Sequence, residues 1–310
     1  SHGEGPAVVA AHGAGGNHIS WWQQIPEFSR HHRCVTFDHR GWGLSTDAGD
    51  VGPAAFAGDI GALLAHLEIG EVFLVGQSMG GLTCLMYALG SPGRVRGLVM
   101  ANTFAGMRRE VWLAADEELR SHARSIWDRR RADGIKRALG REFAQKHKDR
   151  AFLYKQIRRL NEQGPNRLQT ESQVQRLRAL ERAPETSATR EALASLRTPV
   201  LFIGGEHDEV MPVSLMAVAQ SLIPGSRMVV VPGAGHSVYF EQPETFNHVV
   251  LEFFAECAVG DFFGGGFRRL DRLSGGVLGA SGDPALSQID ERVASAVGVL
   301  PLTPAPATPK

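Results

Sequence analysis

The stretch Val72-Phe73-Leu74-Val75-Gly76-Gln77-Ser78-Met79-Gly80-Gly81 constrains this chain more than any other, because an unbroken apolar run stops at a serine held between glycines. Val72 to Val75 reads as a strand buried on both faces, and Leu82 to Leu89 carries the apolar spacing of a helix. Ser78 therefore falls on a strand-to-helix turn. Such a turn brings the residues two before and two after the serine so close that only glycine leaves room, and it pushes the hydroxyl out above the strand ends. The unpaired N–H groups of the following helix start then point toward charge developing on a bound carbonyl. Taken alone, Gly-x-Ser-x-Gly is a short motif that an N-capping serine in a Gly-rich turn also satisfies. The rest of the chain supplies the context.

Other apolar runs end in the same way. Ala7 to Ala11 stops at His12-Gly13-Ala14-Gly15-Gly16-Asn17, Arg33 to Phe37 at Asp38-His39-Arg40-Gly41-Trp42-Gly43-Leu44-Ser45, and Val95 to Ala101 at Asn102. Pro199 to Ile203 runs into Gly204-Gly205-Glu206-His207-Asp208, and Arg227 to Val231 into Pro232-Gly233-Ala234-Gly235-His236-Ser237. Between these runs, helices are expected over Trp21 to Phe28, Ala54 to Leu67, Ser214 to Leu222 and Pro243 to about Cys257, the second presenting Phe56, Ile60, Leu63, Leu64 and Leu67 on one face. Strands alternating with helices predict an α/β fold, a mostly parallel twisted sheet with helices on both faces. Ligands in such sheets sit outside the carboxyl ends of the strands. The His12 loop is no phosphate loop, since no Lys-Ser/Thr pair follows its glycines.

Ser78, Asp208 and His236 each lie just past the carboxyl end of a different predicted strand. A serine hydroxyl is a weak nucleophile at neutral pH and needs a base within hydrogen-bond reach, which His236 can be. A carboxylate on the far ring nitrogen fixes the tautomer and stabilises the imidazolium. Asp208 is the candidate, with Glu206, Glu209 and a site at Asn102 as neighbours to be told apart from it. The order Ser, Asp, His is that of the nucleophile-elbow hydrolases. The oxyanion hole is expected from the backbone N–H groups of Met79 and Ala14.

On these residues the chain resembles the α/β-hydrolase superfamily, in the branch of small esterases, enol-lactonases and carbon–carbon bond hydrolases. The likeness is carried by His12 to Gly16, Asp38 to Ser45, Gly76 to Gly81, Gly205 to Asp208 and Gly233 to His236, and it covers about residues 5 to 257. It implies a Ser78, His236, Asp208 triad, acyl-enzyme chemistry without a cofactor or metal, a mainly structural role for Asp38, His39 and Arg40, and a helical cap between the family's sixth and seventh strands. That cap matches residues 107–197, where strand-like runs cease, charges are frequent with basic residues in excess, and Ile126, Trp127, Leu139, Phe143, Phe152, Ile157 and Leu160 recur at helical intervals. The core is then 1–106 and 198–257. The family opens with two further strands before the one at Ala7, for which Ser1 to Pro6 leaves no room, so the N-terminal strands are expected to be missing and a sheet edge bare. The tail 258–310, Gly-rich and then Pro-rich, lies outside the pattern and is expected to be largely disordered, with a short helix near Gln288 to Val297.

The reaction expected is hydrolysis of a small-molecule carboxylic ester or lactone. Carbon–carbon bond hydrolysis and cofactor-free haloperoxidase or perhydrolase chemistry remain open on the same triad, as does a ligand sensor of slow turnover. Trp21, Trp22, Trp42, Met79, Met107, Val210 and Ser237 are the pocket-lining candidates. Epoxide hydrolases and haloalkane dehalogenases use a carboxylate nucleophile, which serine at 78 argues against. A formal charge of zero over 310 residues implies no general attraction to nucleic acid or membrane. No apolar run is long enough for a transmembrane helix. Three scattered cysteines, Cys34, Cys84 and Cys257, argue against a disulfide framework and for a reducing, cytoplasmic setting. Oligomeric state is not encoded in any of these features.

Overall fold

The computed structural model describes residues 1–104, 106–132, 138–163 and 188–260, with positions 175, 178 and 179. Six strands, β1 (Ala7–Ala11), β2 (Arg33–Phe37), β3 (Val72–Gln77), β4 (Val95–Ala101), β5 (Val200–Gly205) and β6 (Arg227–Val231), form one sheet in the order β2-β1-β3-β4-β5-β6. All the pairings are parallel. Every strand therefore ends on the same edge. The chain leaves β1 for β2 on one side and returns to β3 on the other, so the loops after β1 and β3 part at a switch point, where this architecture opens a crevice.

The apolar runs are continuous because the sheet is covered on both sides. Successive residues alternate between two cores: Val9, Ala11, Leu74, Leu98, Met100 and Phe202 face one, and Val8, Ala10, Val75, Val99, Leu201 and Ile203 the other. The first core is closed by α2 (Phe56–His66), α3 (Met79–Gly90) and α9 (Val213–Ser221), the second by α1 (Ile25–Phe28) and α11 (Pro243–Val259). At the β2 edge, His2 makes a single antiparallel bridge to Cys34.

One helix differs from expectation. Trp21 to Phe28 is not continuous: a 3₁₀ turn over His18–Trp21, capped by the Asn17 side chain, is followed by the single turn of α1. Pro26 lies in the first turn of α1, where its missing N–H costs nothing, whereas within one long helix it would remove a hydrogen bond.

Between β4 and β5, the place the resemblance implies, come α4 (Arg108–Ala114), α5 (Glu117–Ala132), α6 (Arg141–Lys146), α7 (Lys148–Gln163) and α8 (Arg190–Ser195), with no strand among the described residues. α7 buries Ala151, Tyr154, Ile157 and Asn161, which share one face, while Phe152 is 63% exposed and Leu160 38%. Phe152 and Leu160 are therefore not part of its packed stripe. The short helix α10 (Val238–Glu241) follows His236 and leads into α11, which ends at Gly260 in the left-handed region, φ 77°. From residue 261 the expected tail, with its short helix, lies outside the described residues.

Candidate active site

Ser78 follows the last residue of β3 and precedes α3, with φ 51° and ψ −112°. A non-glycine residue in that region costs of order 1–3 kcal/mol, which the surroundings must offset. They do so on several sides. Ser78 N–H donates to the Ala101 carbonyl (2.9 Å), extending the β3–β4 pairing to the serine itself, and Thr103 Oγ1 donates to the Ser78 carbonyl (2.7 Å). The flanking glycines are required by contact: a Cβ on Gly76 would lie 2.5 Å from the Gly80 carbonyl oxygen, and one on Gly80 2.0 Å from that of Ala11.

Asp208 and His236 meet on the loops beyond β5 and β6. His236 Nδ1 lies 2.9 and 3.1 Å from the two Asp208 carboxylate oxygens. Because a carboxylate only accepts, Nδ1 carries the proton and Nε2 is left free to take one. Asp208 is held in turn, with Oδ1 accepting from the Val210 and Met211 N–H groups (2.8 and 2.9 Å) and Oδ2 from Asn102 Nδ2 (2.9 Å). Its side chain is fully buried. The neighbouring acids are engaged elsewhere, Glu206 accepting from Gly233 N–H and Glu209 pairing with Arg141. Asn102, past β4, holds Asp208 by that bond, and it also donates to the Gly235 carbonyl (3.2 Å).

Ser78 is brought to the same edge. Its neighbour Gln77 donates from Nε2 to the His236 carbonyl (3.1 Å), joining the two loops, while the Ser78 hydroxyl makes no hydrogen bond among the described residues. Such contacts commonly tighten only when substrate is bound.

The loop after β1 stands on two histidines packed against each other. His12 and His39 rings meet edge to face at 4.5 Å, His39 N–H donates to His12 Nε2 (3.1 Å), His12 Nδ1 lies 2.9 Å from the Gly13 carbonyl oxygen, and His39 Nε2 lies 3.0 Å from Thr83 Oγ1. Burial pushes His12 down to about 4 and His39 well below its ordinary range. Both are neutral supports at ordinary pH. A turn closed by Gly16 N–H on the Gly13 carbonyl (2.9 Å) puts Ala14 and Gly15 at the tip. Ala14 packs against the buried cluster of Trp42, Phe56, Met79 and Leu82. Met79 opens α3, so its N–H has no helical acceptor. Asp38 and Arg40 build the neighbouring loop, Asp38 accepting from the N–H groups of His18 (2.6 Å) and Leu44 (2.9 Å) and Arg40 pairing with Asp59 and Asp47.

The insertion places beside the candidate site residues that sequence reading missed. Asn161 donates to the carbonyls of Gly15 (2.9 Å) and Gly16 (3.1 Å) and accepts from Gly43 N–H (2.8 Å). Arg158 donates to the Ala14 carbonyl (3.2 Å), and Tyr154 and Ser237 share a hydroxyl contact of 3.0 Å. A buried asparagine on the apolar face of a helix was the only signal of this in the sequence. The small pocket beside the elbow is lined by Gly13, Ala14, Gly16, Ser20, Gln77, Tyr154, Ile157, Arg158, Tyr239 and Phe240.

Of the expected lining residues, Ser237 touches that region through Tyr154. The structure places Trp21 in the core against Tyr239 and Phe246, Met107 fully buried in the opposite core, and Trp42 beneath Met79, while Trp22 is 45% exposed. These are packing or surface positions rather than pocket walls. Val210 acts through its backbone, binding Asp208 and accepting from Trp127 Nε1 (3.2 Å) of the insertion. Among the described residues no cluster of His, Cys, Asp and Glu is arranged to hold a metal ion, and no helix is long and apolar enough to cross a membrane.

Comparison with known proteins bears on this arrangement. Residues 6–243 match the family model described as the alpha/beta hydrolase fold. A chain from Mycobacterium tuberculosis H37Rv, provisionally named a non-heme bromoperoxidase, is 28% identical over 82% of this chain and 95% of its own length. The pimeloyl-[acyl-carrier protein] methyl ester esterase of Yersinia enterocolitica is 29% identical over 81% of this chain and 94% of its own. Among solved structures, a thermophilic esterase from Thermogutta terrifontis with malate bound superposes with a TM-score of 0.64 at 25% identity, covering 83% of this chain and 92% of the esterase.

Proposed function

The chain belongs to the α/β-hydrolase family, and from that premise we propose that it is a serine hydrolase that cleaves a carboxylic ester or lactone through an acyl-enzyme. The observation that carries this reading is the buried Asp208–His236 pair, joined through Gln77 to a strained Ser78 at the same sheet edge. The esterases among the relatives support the same reaction class.

In this mechanism His236 Nε2 takes the Ser78 proton as Oγ adds to the substrate carbonyl. Asp208 stabilises the imidazolium, and the N–H groups of Met79 and Ala14 bind the oxyanion. The imidazolium then protonates the departing alkoxide, leaving the acyl group on Ser78. Water enters, gives its proton to His236 as it attacks, and collapse of the second tetrahedral intermediate returns that proton to Ser78 and frees the acid.

One observation favours a second reading, the hydrolysis of a carbon–carbon bond in an acidic diketone. Arg158 is half-buried in the pocket wall and, among the described residues, pairs with no carboxylate, so it is placed to meet an anionic group of a substrate.

The proposal predicts that Ser78→Ala loses on the order of a million-fold in kcat on short p-nitrophenyl esters, with the melting temperature preserved, since alanine keeps the Cβ in the same backbone conformation. Turnover in that variant near the wild-type rate would contradict it.

A further inference from the structure

Glu241 is a buried acid with no part in the mechanism above. It ends the short helix α10, five residues beyond His236, and is 4% exposed. Its side chain turns back to the loop it has just left. Oε1 accepts from Ser237 N–H (3.1 Å) and Oε2 from Gly235 N–H (2.9 Å), so the two amides on either side of His236 share one carboxylate. Oε2 also accepts from the N–H of Gly140, the residue just before α6 of the insertion (3.0 Å). Gly140 and Gly235 lie backbone to backbone: a Cβ on Gly235 would come within 2.3 Å of Gly140 N.

Taking this together, and resting on the serine-hydrolase reading, we infer that Glu241 is a positioning residue for His236, clamping the backbone on both sides of the base and tying that clamp to the insertion. The clamp is needed because the Pro232 to Ser237 loop has no ladder to hold it: Gly233 is left-handed (φ 70°), and the regular hydrogen bonding of β6 stops at Val231. A base must sit within a few tenths of an ångström of its productive position, and displacements approaching 1 Å cost about 100-fold in rate. Asp208 fixes the ring; Glu241 fixes the backbone that carries it. Burial, with a smaller push from the nearby Asp208 charge, raises the Glu241 carboxyl above its ordinary range, and the three N–H donors oppose that push by favouring the ionised form.

The test uses the full chain with two variants. Glu241→Gln keeps shape but turns an NH2 toward amide donors. Gly140→Ala acts from the other side, since its Cβ would stand 3.0 Å from Glu241 Oε2 and must push it, while the backbone there, at φ −58°, accepts alanine. The expected result is a kcat lowered about 10- to 100-fold in Glu241→Gln and several-fold in Gly140→Ala, with KM within about twofold of wild type. Fluorophosphonate labelling, which reads the Ser78–His236 pair without substrate, should slow in parallel. Wild-type kcat and labelling rate in folded Glu241→Gln, or in Gly140→Ala if Glu241→Gln does not fold, overturns the inference. Ser78→Ala in the same assay separates the two claims: if it is inactive while the clamp variants are normal, only the clamp is wrong, and if it is fully active both fall.

Discussion

The two sides of the site are built from opposite materials. On the acid–base side, beyond β5 and β6, two buried carboxylates, Asp208 and Glu241, gather backbone N–H groups, an asparagine amide and the imidazole around them. On the oxyanion side, beyond β1, no carboxylate hydrogen-bonds residues 12–16 among the described residues, while Asp38, past β2, accepts from His18 and Leu44. The loop after β1 rests instead on two histidines that burial keeps neutral, with Asn161 and Arg158 reaching down from the insertion. The difference follows from the charge each side handles in the proposed reaction. A base that becomes cationic gains from nearby anions, whereas a loop that must receive a developing oxyanion loses from them.

That contrast breaks most visibly at Asp208. In Asp208→Asn the new NH2 faces Asn102 Nδ2 and the ring nitrogen, so His236 is driven to the tautomer that cannot accept the Ser78 proton, and kcat should fall about 10,000-fold. Steady-state kinetics on the folded variant checks this; a loss under tenfold would show that the acid–base side does not depend on its anion.

A smaller effect is expected opposite. Asn161→Ala removes three hydrogen bonds between the insertion and the loops at Gly15, Gly16 and Gly43, lowering stability by about 1–3 kcal/mol. It should also lower kcat/KM about tenfold, through a loosened Ala14 rather than through His236. Denaturant melts and kinetics together read both, and phosphonate labelling unchanged relative to wild type would place Asn161 outside the oxyanion side.

The smallest effect sharpens the comparison through pH. The neutral histidines must charge when the protein unfolds below the ordinary imidazole value of 6.5, while His12 resists protonation down to about 4 in the fold. The unfolded state therefore binds more protons in that window. Stability is complete above it and declines as pH falls, by up to about 1.4 kcal/mol per pH unit for each histidine. In His39→Asn the slope of stability against pH between 6.5 and 4 should flatten; an unchanged slope would mean His39 is not held neutral.

Much of this was legible beforehand, for a physical reason. In a parallel sheet covered on both faces, strands are buried apolar runs and their ends share an edge, so residues at those ends can be placed together from sequence. Ser78, Asp208 and His236 were placed at one sheet edge that way, and the glycines at 76 and 80 announced the turn. The insertion resisted because helical spacing says which residues are buried but not against what, which left Tyr154, Arg158 and Asn161 unseen. Large apolar residues near the motifs, Trp21 and Met107 above all, were read as pocket walls, although most such residues in this architecture fill the two cores. Glu241 stayed hidden because its partners are backbone amides, which carry no side-chain signature.

The account turns on which residue becomes the nucleophile, and covalent labelling reads that directly. The full chain is treated with a tagged fluorophosphonate, digested and mapped by mass spectrometry. The adduct is expected on Ser78 alone, lost in Ser78→Ala and slowed in Asp208→Asn; an adduct on any other residue, or none in protein that hydrolyses esters, would contradict the proposed triad.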